Sequence, residues 1–297
     1  MVELSVVIPN RNSPFCANTI DDVLKNAGCD VEVIVNVDEQ WPSPLSEDAR
    51  VHYIHPSAPI GLRAGINACV AMAKGKYIMK LDDHCLVGEN FGKILIESHQ
   101  PDWVQVPRRY ALNPEKWAIE ERTDGKYPVD YMSLCYPQLG KKHDDGFHGI
   151  EWRQRREDRK DSKYDVDDLP TFQGSCYFMT RSHFVDFLGG LHEEGYGQFS
   201  QEAQEISLKT WLGGGAVKVN KKTNYSHLHK GNRYGRFYKM PSGTVEGSNW
   251  SSIHWINDEE PNMKYPFKWF INEKFPDMPE WSSDWEQKLR DSGQIKK

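Results

Sequence analysis

Met79-Lys80-Leu81-Asp82-Asp83-His84-Cys85 closes an apolar run with a carboxylate and an imidazole two residues apart. In an extended segment residues i and i+2 point to the same side, so Asp82 and His84 can converge on one ion. The preceding Ala73-Lys74-Gly75-Lys76 reads as a turn and Tyr77-Ile78-Met79-Lys80-Leu81 as a strand, which sets the pair at a strand's carboxyl end. Open α/β sheets bind their ligands there. An oxygen-plus-nitrogen ligand set suits Mn²⁺ or a similar divalent ion, well placed to neutralise a diphosphate. Alone, Asp-x-His also fits a surface turn with an incidental histidine, so the neighbourhood has to decide.

Upstream, Leu4-Ser5-Val6-Val7-Ile8-Pro9-Asn10 is a short apolar run ended by proline, the form of a buried parallel strand. Thr19 to Ala27 then reads as a helix with Ile20, Val23 and Leu24 on one face. Val31 to Val37 is a second strand, ending at Asp38, and Val51-His52-Tyr53-Ile54 a short third. The helix expected over Gly61 to Ala73 carries small residues that permit close packing. Alternating strands and helices make a nucleotide-binding α/β half with a mostly parallel sheet flanked by helices.

The chain resembles family 2-type glycosyltransferases of the GT-A (nucleotide-diphospho-sugar transferase) fold, and within them the polypeptide N-acetylgalactosaminyltransferases. The opening strand ending in Pro9, the acidic Asp38, the Gly61-Leu62-Arg63-Ala64 run and Leu81-Asp82-Asp83-His84-Cys85 carry the likeness. So does Glu202-Ala203-Gln204-Glu205-Ile206-Ser207, continuing to Trp211 and Gly213-Gly214, which is similar to the family's Glu-Asn-x-Glu-Ile-Ser-x-Arg-x-Trp-x-x-Gly-Gly. It covers about residues 3–95 and 170–236.

This resemblance implies a transferase using Mn²⁺ (or Mg²⁺) and a nucleotide-sugar donor, a UDP-sugar first. Donor-contacting positions carried over are Pro9, Asn10, Arg11, Asp38, Arg63, Asp82 and Asp83, with Gly174 and Ser175 in Phe172-Gln173-Gly174-Ser175-Cys176, whose glycine permits close backbone approach to a ligand. An ion held only by Asp82 and His84 would be weakly fixed, so a third ligand is expected from afar. The family places a histidine in Ser-x-x-Gly-His; this chain is one residue shorter there, and either His227 or His229 fits, with His229 favoured. Of the acidic pair that holds the base in many inverting relatives, Glu202 is present and the second acid is replaced by Ala203. Glu202 then serves as base or binds the sugar, retention is favoured over inversion, and Glu205, three residues on, shares its helix face.

Charge adds an argument independent of resemblance. The formal net charge is -6, yet Ile206 to Val245 contains no acid while Lys209, Lys218, Lys221, Lys222, Lys230, Arg233, Arg236 and Lys239 are basic. With Gly231, Gly235, Tyr234, Phe237 and Tyr238 interspersed, the segment reads as a loop closing over a diphosphate, in which Lys230, Arg233 and Arg236 are the candidate contacts. Basic and aromatic residues together also suit nucleic acid, so DNA joins glycan, protein and lipid-linked sugar as an acceptor, a hydroxylated base offering the hydroxyl. Overall acidity argues against broad non-specific nucleic-acid binding.

The expected organisation is a catalytic domain over residues 1–240, with a polar insertion at about 107–170, and an aromatic-rich extension over 241–297 that packs on it. Five of the ten tryptophans lie in that extension, where anchoring is the simpler use for them. Six cysteines without C-x-x-C spacing point to buried thiols rather than a disulfide framework or zinc site. With no apolar stretch near the roughly 20 residues of a membrane span, and a strand at the very start in place of a signal or stem, the chain is expected to be cytoplasmic. Two other classes fit the α/β core. One is a nucleotidyltransferase, disfavoured by the lack of a Gly-rich phosphate loop after the first strand. The other is a non-catalytic carbohydrate- or nucleic-acid-binding relative.

Overall fold

Alternate residues of the first strand, β1 (Leu4–Asn10), enter two different apolar clusters, Val7 on one side and Leu4, Val6 and Ile8 on the other. A strand covered on both faces needs a nearly continuous apolar run, and β2 (Val31–Val37), buried at every position, shows the same pattern. The computed structural model describes residues 1–140, 142, 145–229 and 234–293. From β1 the chain passes through α1 (Cys16–Asn26), β2 and β3 (Val51–Ile54), then returns through α2 (Gly61–Met72) to lay β4 (Tyr77–Leu81) on the opposite side of β1. These four strands are parallel in the order β3-β2-β1-β4. The reversal at β1 opens a crevice beyond the carboxyl ends of β1 and β4, where Asn10 and Asp82 stand. Helix α2 packs close because Gly65 has no side chain: a Cβ there would lie 2.7 Å from Asn36 Nδ2 of β2.

The next elements are β5 (Cys85–Val87), α3 (Phe91–Glu97), β6 (Trp103–Asn113), β7 (Ala118–Ile119), β8 (Met132–Leu134), β9 (Gly149–Glu151), α4 (Arg153–Asp158) and β10 (Val166–Asp168). They are followed by β11 (Cys176–Thr180), α5 (Glu202–Leu212) and β12 (Ala216–His227). Antiparallel β11 joins β4 to β6, β12 lies parallel to β6, and β10 closes the far edge. The last residues of β12 also pair with β5, with His227 opposite Cys85. That register brings His227 against His84, a residue 143 positions away in the turn after β4.

The region read as a polar insertion is built into the structure more deeply than its composition suggests. Pro107 lies within β6, and Tyr131, Leu134, Phe147 and Trp152 enter the larger core cluster, each separated in sequence by polar residues that hide the pattern. Within and after α6 (Thr244–Ile256), as far as the start of α7 (Trp285–Asp291), Trp255, Trp281 and Trp285 are buried with Phe267 and Phe270, while Trp250 is exposed. All six cysteines are free, five of them buried. Among the described residues no helix is long and apolar enough to cross a membrane.

Candidate active site

Asp82 and His84, projecting from the turn after β4, meet His227 at the end of β12. Asp82 Oδ2 lies 3.3 Å from His227 Nε2 and 3.9 Å from His84 Nε2, and the two Nε2 atoms are 3.0 Å apart. Ligand atoms about 3.0–3.4 Å apart are what a cation with bonds of about 2.1 Å requires; two of the three separations lie in that range, and the 3.9 Å between Asp82 and His84 must shorten by about half an ångström on binding. His84 is already oriented as a ligand, because its Nδ1–H donates to Asp83 Oδ1 at 2.5 Å and leaves the Nε2 lone pair pointed inward. Asp83 is itself held by Asn10 Nδ2, which donates to Oδ2 at 2.9 Å across the β1–β4 switch point. Burial pushes His227 down to about 3, so its imidazole stays neutral, the form that binds a metal. Burial works against the Asp82 charge, but Lys80 and the two histidines outweigh it and hold this carboxyl well below its usual range. Three protein ligands would leave coordination positions open, as a catalytic rather than a structural ion needs.

Behind Asp82 lies a buried ammonium. Lys80 Nζ donates to Asp82 Oδ1 at 2.5 Å and to the carbonyl of Gly174, and stands 3.6 Å from Glu202 Oε1. Burial disfavours the lysine's charge, yet the two carboxylates raise its pKa and keep it protonated. Glu202, the first residue of α5, is raised by the same burial, with Lys80 opposing. Its Oε1 is buried and faces the Lys80 ammonium, while the residue itself contributes to the cavity wall. A Cβ at position 174 would sit 2.8 Å from Glu202 Oε2, so glycine is required for the carboxylate to lie where it does.

Lys80, Asp82, His84, Gly174 and Glu202 line one cavity of about 540 Å³, and His227 lies behind its wall. Pro9, Asn10, Arg11, Asp38, Asp82, Asp83, His84, Gly174, Ser175, Glu202 and His229, all anticipated from sequence, contribute to its wall. Asp38 also accepts from the amides of Ile60 (2.6 Å) and Gly61 (3.2 Å), fixing the entry to α2. Arg11 donates through Nε to Glu39 at 3.0 Å. Of the two candidate histidines it is His227, not the favoured His229, that joins Asp82 and His84. The reason is strand register, since His227 is the last paired residue of β12 whereas His229 follows the strand end and is exposed, its ring 5.0 Å from that of His227.

Arg63 and Glu205 require correction. Both are fully buried away from the cavity, paired with each other, and Arg63 also donates to the carbonyls of His192 (2.5 Å) and Ser200 (2.6 Å). Glu205 in addition takes Lys209 Nζ at 2.9 Å. A turn of α5 aims Glu202 at the cavity and Glu205 at α2, so the two do not act on one ligand. Asp83, at the cavity wall, accepts from His84 Nδ1 through Oδ1. Arg236 is exposed, 5.7 Å over the Phe199 ring and outside the cavity wall; Lys230 and Arg233 lie outside the described residues. Tyr238 of the basic, aromatic segment also lines the cavity, and so do Lys80 and Arg109, which sequence reasoning missed. A lysine inside an apolar strand is itself a signal, because burial of a charge demands a partner; nothing local marks Arg109.

Residues 5–185 match the family model described as glycosyl transferase family 2, more than half of the chain, and the chain belongs to that family. A Drosophila melanogaster protein named "Putative polypeptide N-acetylgalactosaminyltransferase 13" is 24% identical over 220 residues, covering 70% of this chain. The chain in turn spans only 36% of that relative's length. Among solved structures, GalNAc-T7 with UDP, GalNAc and Mn²⁺ superposes with a TM-score of 0.70 at 20% identity, over 93% of this chain and 57% of its own. Residues 1–349 of Staphylococcus aureus TarS in complex with UDP-GlcNAc give 0.52 at 11% identity, over 88% and 68%. The shared architecture is the GT-A fold.

Proposed function

We propose that this member of glycosyl transferase family 2 moves a sugar from a nucleotide donor, a UDP-sugar, to an acceptor hydroxyl, with a divalent ion held by Asp82, His84 and His227. The observation that carries the reading is the convergence of those three ligand atoms at the switch point of the sheet, in a cavity whose wall also holds Glu202. UDP and Mn²⁺ in the GalNAc-T7 structure, and UDP-GlcNAc in that of TarS, support the same donor class. Mn²⁺ or Mg²⁺ there would neutralise charge as it develops on the departing nucleoside diphosphate.

The chain's own residues do the rest. Asp38, Pro9 and Asn10 border the end of the crevice where the nucleoside fits, and Asp83 keeps the His84 lone pair aimed inward. Glu202 accepts a hydrogen bond from a hydroxyl of the transferred sugar, while Lys80 holds that carboxylate and Asp82 in fixed relation. With alanine at position 203 the acidic pair that holds the base in many inverting relatives is incomplete, which favours retention. Residues 1–240 form the catalytic unit in this reading, and 241–297 an aromatic extension packed against it. The test is release of free nucleoside diphosphate from a panel of nucleotide sugars with Mn²⁺ present. Release from one UDP-sugar, lost on chelation and in Asp82→Ala, is expected; no release from any donor would overturn the assignment.

A further inference from the structure

Arg109, in β6, is only 7% exposed, lines the cavity, and has a buried Nη1 with no hydrogen-bond partner. Its neighbour Arg108 takes both oxygens of Asp130, at 2.6 and 2.8 Å, whereas no carboxylate among the described residues pairs with Arg109. A guanidinium keeps its charge in any protein environment, so burying one without a counter-ion is costly unless something else supplies the anion. A planar fork of donors at the wall of a cavity matches a phosphate or a carboxylate.

The order of strands says which end of the cavity this is. Its wall runs from Asp38 after β2, past Asn10 of β1 and Asp82 after β4, to Gly174 and Ser175 before β11, and then to Arg109 in β6. Arg109 is therefore two strands beyond Asp82, roughly 10 Å along the sheet at the usual strand spacing, on the side away from the nucleoside crevice. Neutral Gln173 and Met132 share that end. We propose that Arg109 recognises an anionic group, a phosphate or carboxylate, carried by the acceptor, and so orients a neighbouring hydroxyl towards the sugar beside Glu202. This rests on the transferase reading of the cavity.

The full-length protein, saturated with Mg²⁺ and UDP, is titrated with glycerol 3-phosphate, with glycerate and with glycerol as the neutral control, binding being followed by ligand line broadening in NMR. The expected result is a preference of roughly tenfold or more for the anions over glycerol, the size of one charge-assisted contact. Arg109→Met should abolish it, Arg109→Lys should retain part, and neither should change UDP affinity. Equal binding of the three probes, or an anion preference that survives in Arg109→Met, would overturn the proposal. So would a tenfold loss of UDP affinity in Arg109→Met, which would put the guanidinium on the donor diphosphate. If Arg109→Met does not fold, Arg109→Gln replaces it under the same criteria. Failure of wild-type protein to bind UDP would instead count against the transferase assignment, and the titration repeated without nucleotide then tests Arg109 separately.

Discussion

Lys80 Nζ stands 3.6 Å from Glu202 Oε1, joining the strand that leads to the metal-binding group with the helix that carries the candidate catalytic carboxylate. Both side chains are buried, and the same ammonium bonds Asp82. One cation thus offsets the repulsion between two acids that would otherwise face each other in a site of low polarity.

Lys80→Met removes that cation and leaves the buried Glu202 carboxylate and the partly buried Asp82 without it. The expected loss is about 3–5 kcal/mol of stability, the usual effect of breaking a buried pair from one side, read in urea or guanidinium unfolding. Adding Glu202→Gln to Lys80→Met should recover part of it. Additive losses in the double variant would show that the two side chains do not interact.

For the metal, Asp82→Ala and His84→Ala should each abolish Mn²⁺-dependent binding of nucleoside diphosphate while leaving the circular dichroism spectrum unchanged. His227→Ala should weaken metal affinity by roughly tenfold or more, the scale of a lost ligand or its support, with a smaller effect for His229→Ala. Calorimetry that ranks the two histidines the other way would move the third ligand to His229.

Glu202→Gln and Glu205→Gln should separate chemistry from stability. The first is expected to keep nucleotide affinity and lower sugar transfer by about 10² or more, on the scale of general-base contributions. Glu205, locked between Arg63 and Lys209, should instead lower the melting temperature, with turnover per folded molecule largely preserved. Near wild-type transfer by Glu202→Gln at saturating substrates would make Glu202 structural.

Acid sensitivity follows from two histidines remote from the metal group. Burial lowers both His99 and His183 to about 4 in the folded protein, against about 6.5 in an unfolded chain. The unfolded state therefore binds protons first as pH falls, and these two histidines should lower stability between about pH 6.5 and 4 with uptake of up to about two protons on unfolding, added to the uptake by His227 and His229, which burial lowers as well. His183 Nε2 lies 3.1 Å from Thr210 Oγ1, so His183→Gln should keep a polar contact and remove roughly one proton's share of that slope. A melting temperature constant across this window would contradict the assignment.

Local pattern alone determined the alternation of strands and helices, the ends of β1, β2 and β4, and the Asp82–His84 pair, because the period of a strand and the spacing of apolar residues are properties of neighbouring positions. The same reading brought Asp38, Gly174 and Glu202 to the cavity, through the likeness of short motifs. Only the tertiary structure decided between His227 and His229, since the answer depends on the register of β12 against β5, two segments that meet across the whole second half of the sheet. It also turned Arg63 and Glu205 inward as partners, gave Asp83 to His84, set Lys80 between Asp82 and Glu202, and left Arg109 buried without an acid. The pairs Arg63–Glu205 and Lys80–Glu202 join charges from different elements, and which charges meet, or go without a partner as Arg109 does, is fixed by how the elements pack, not by the sequence around either one.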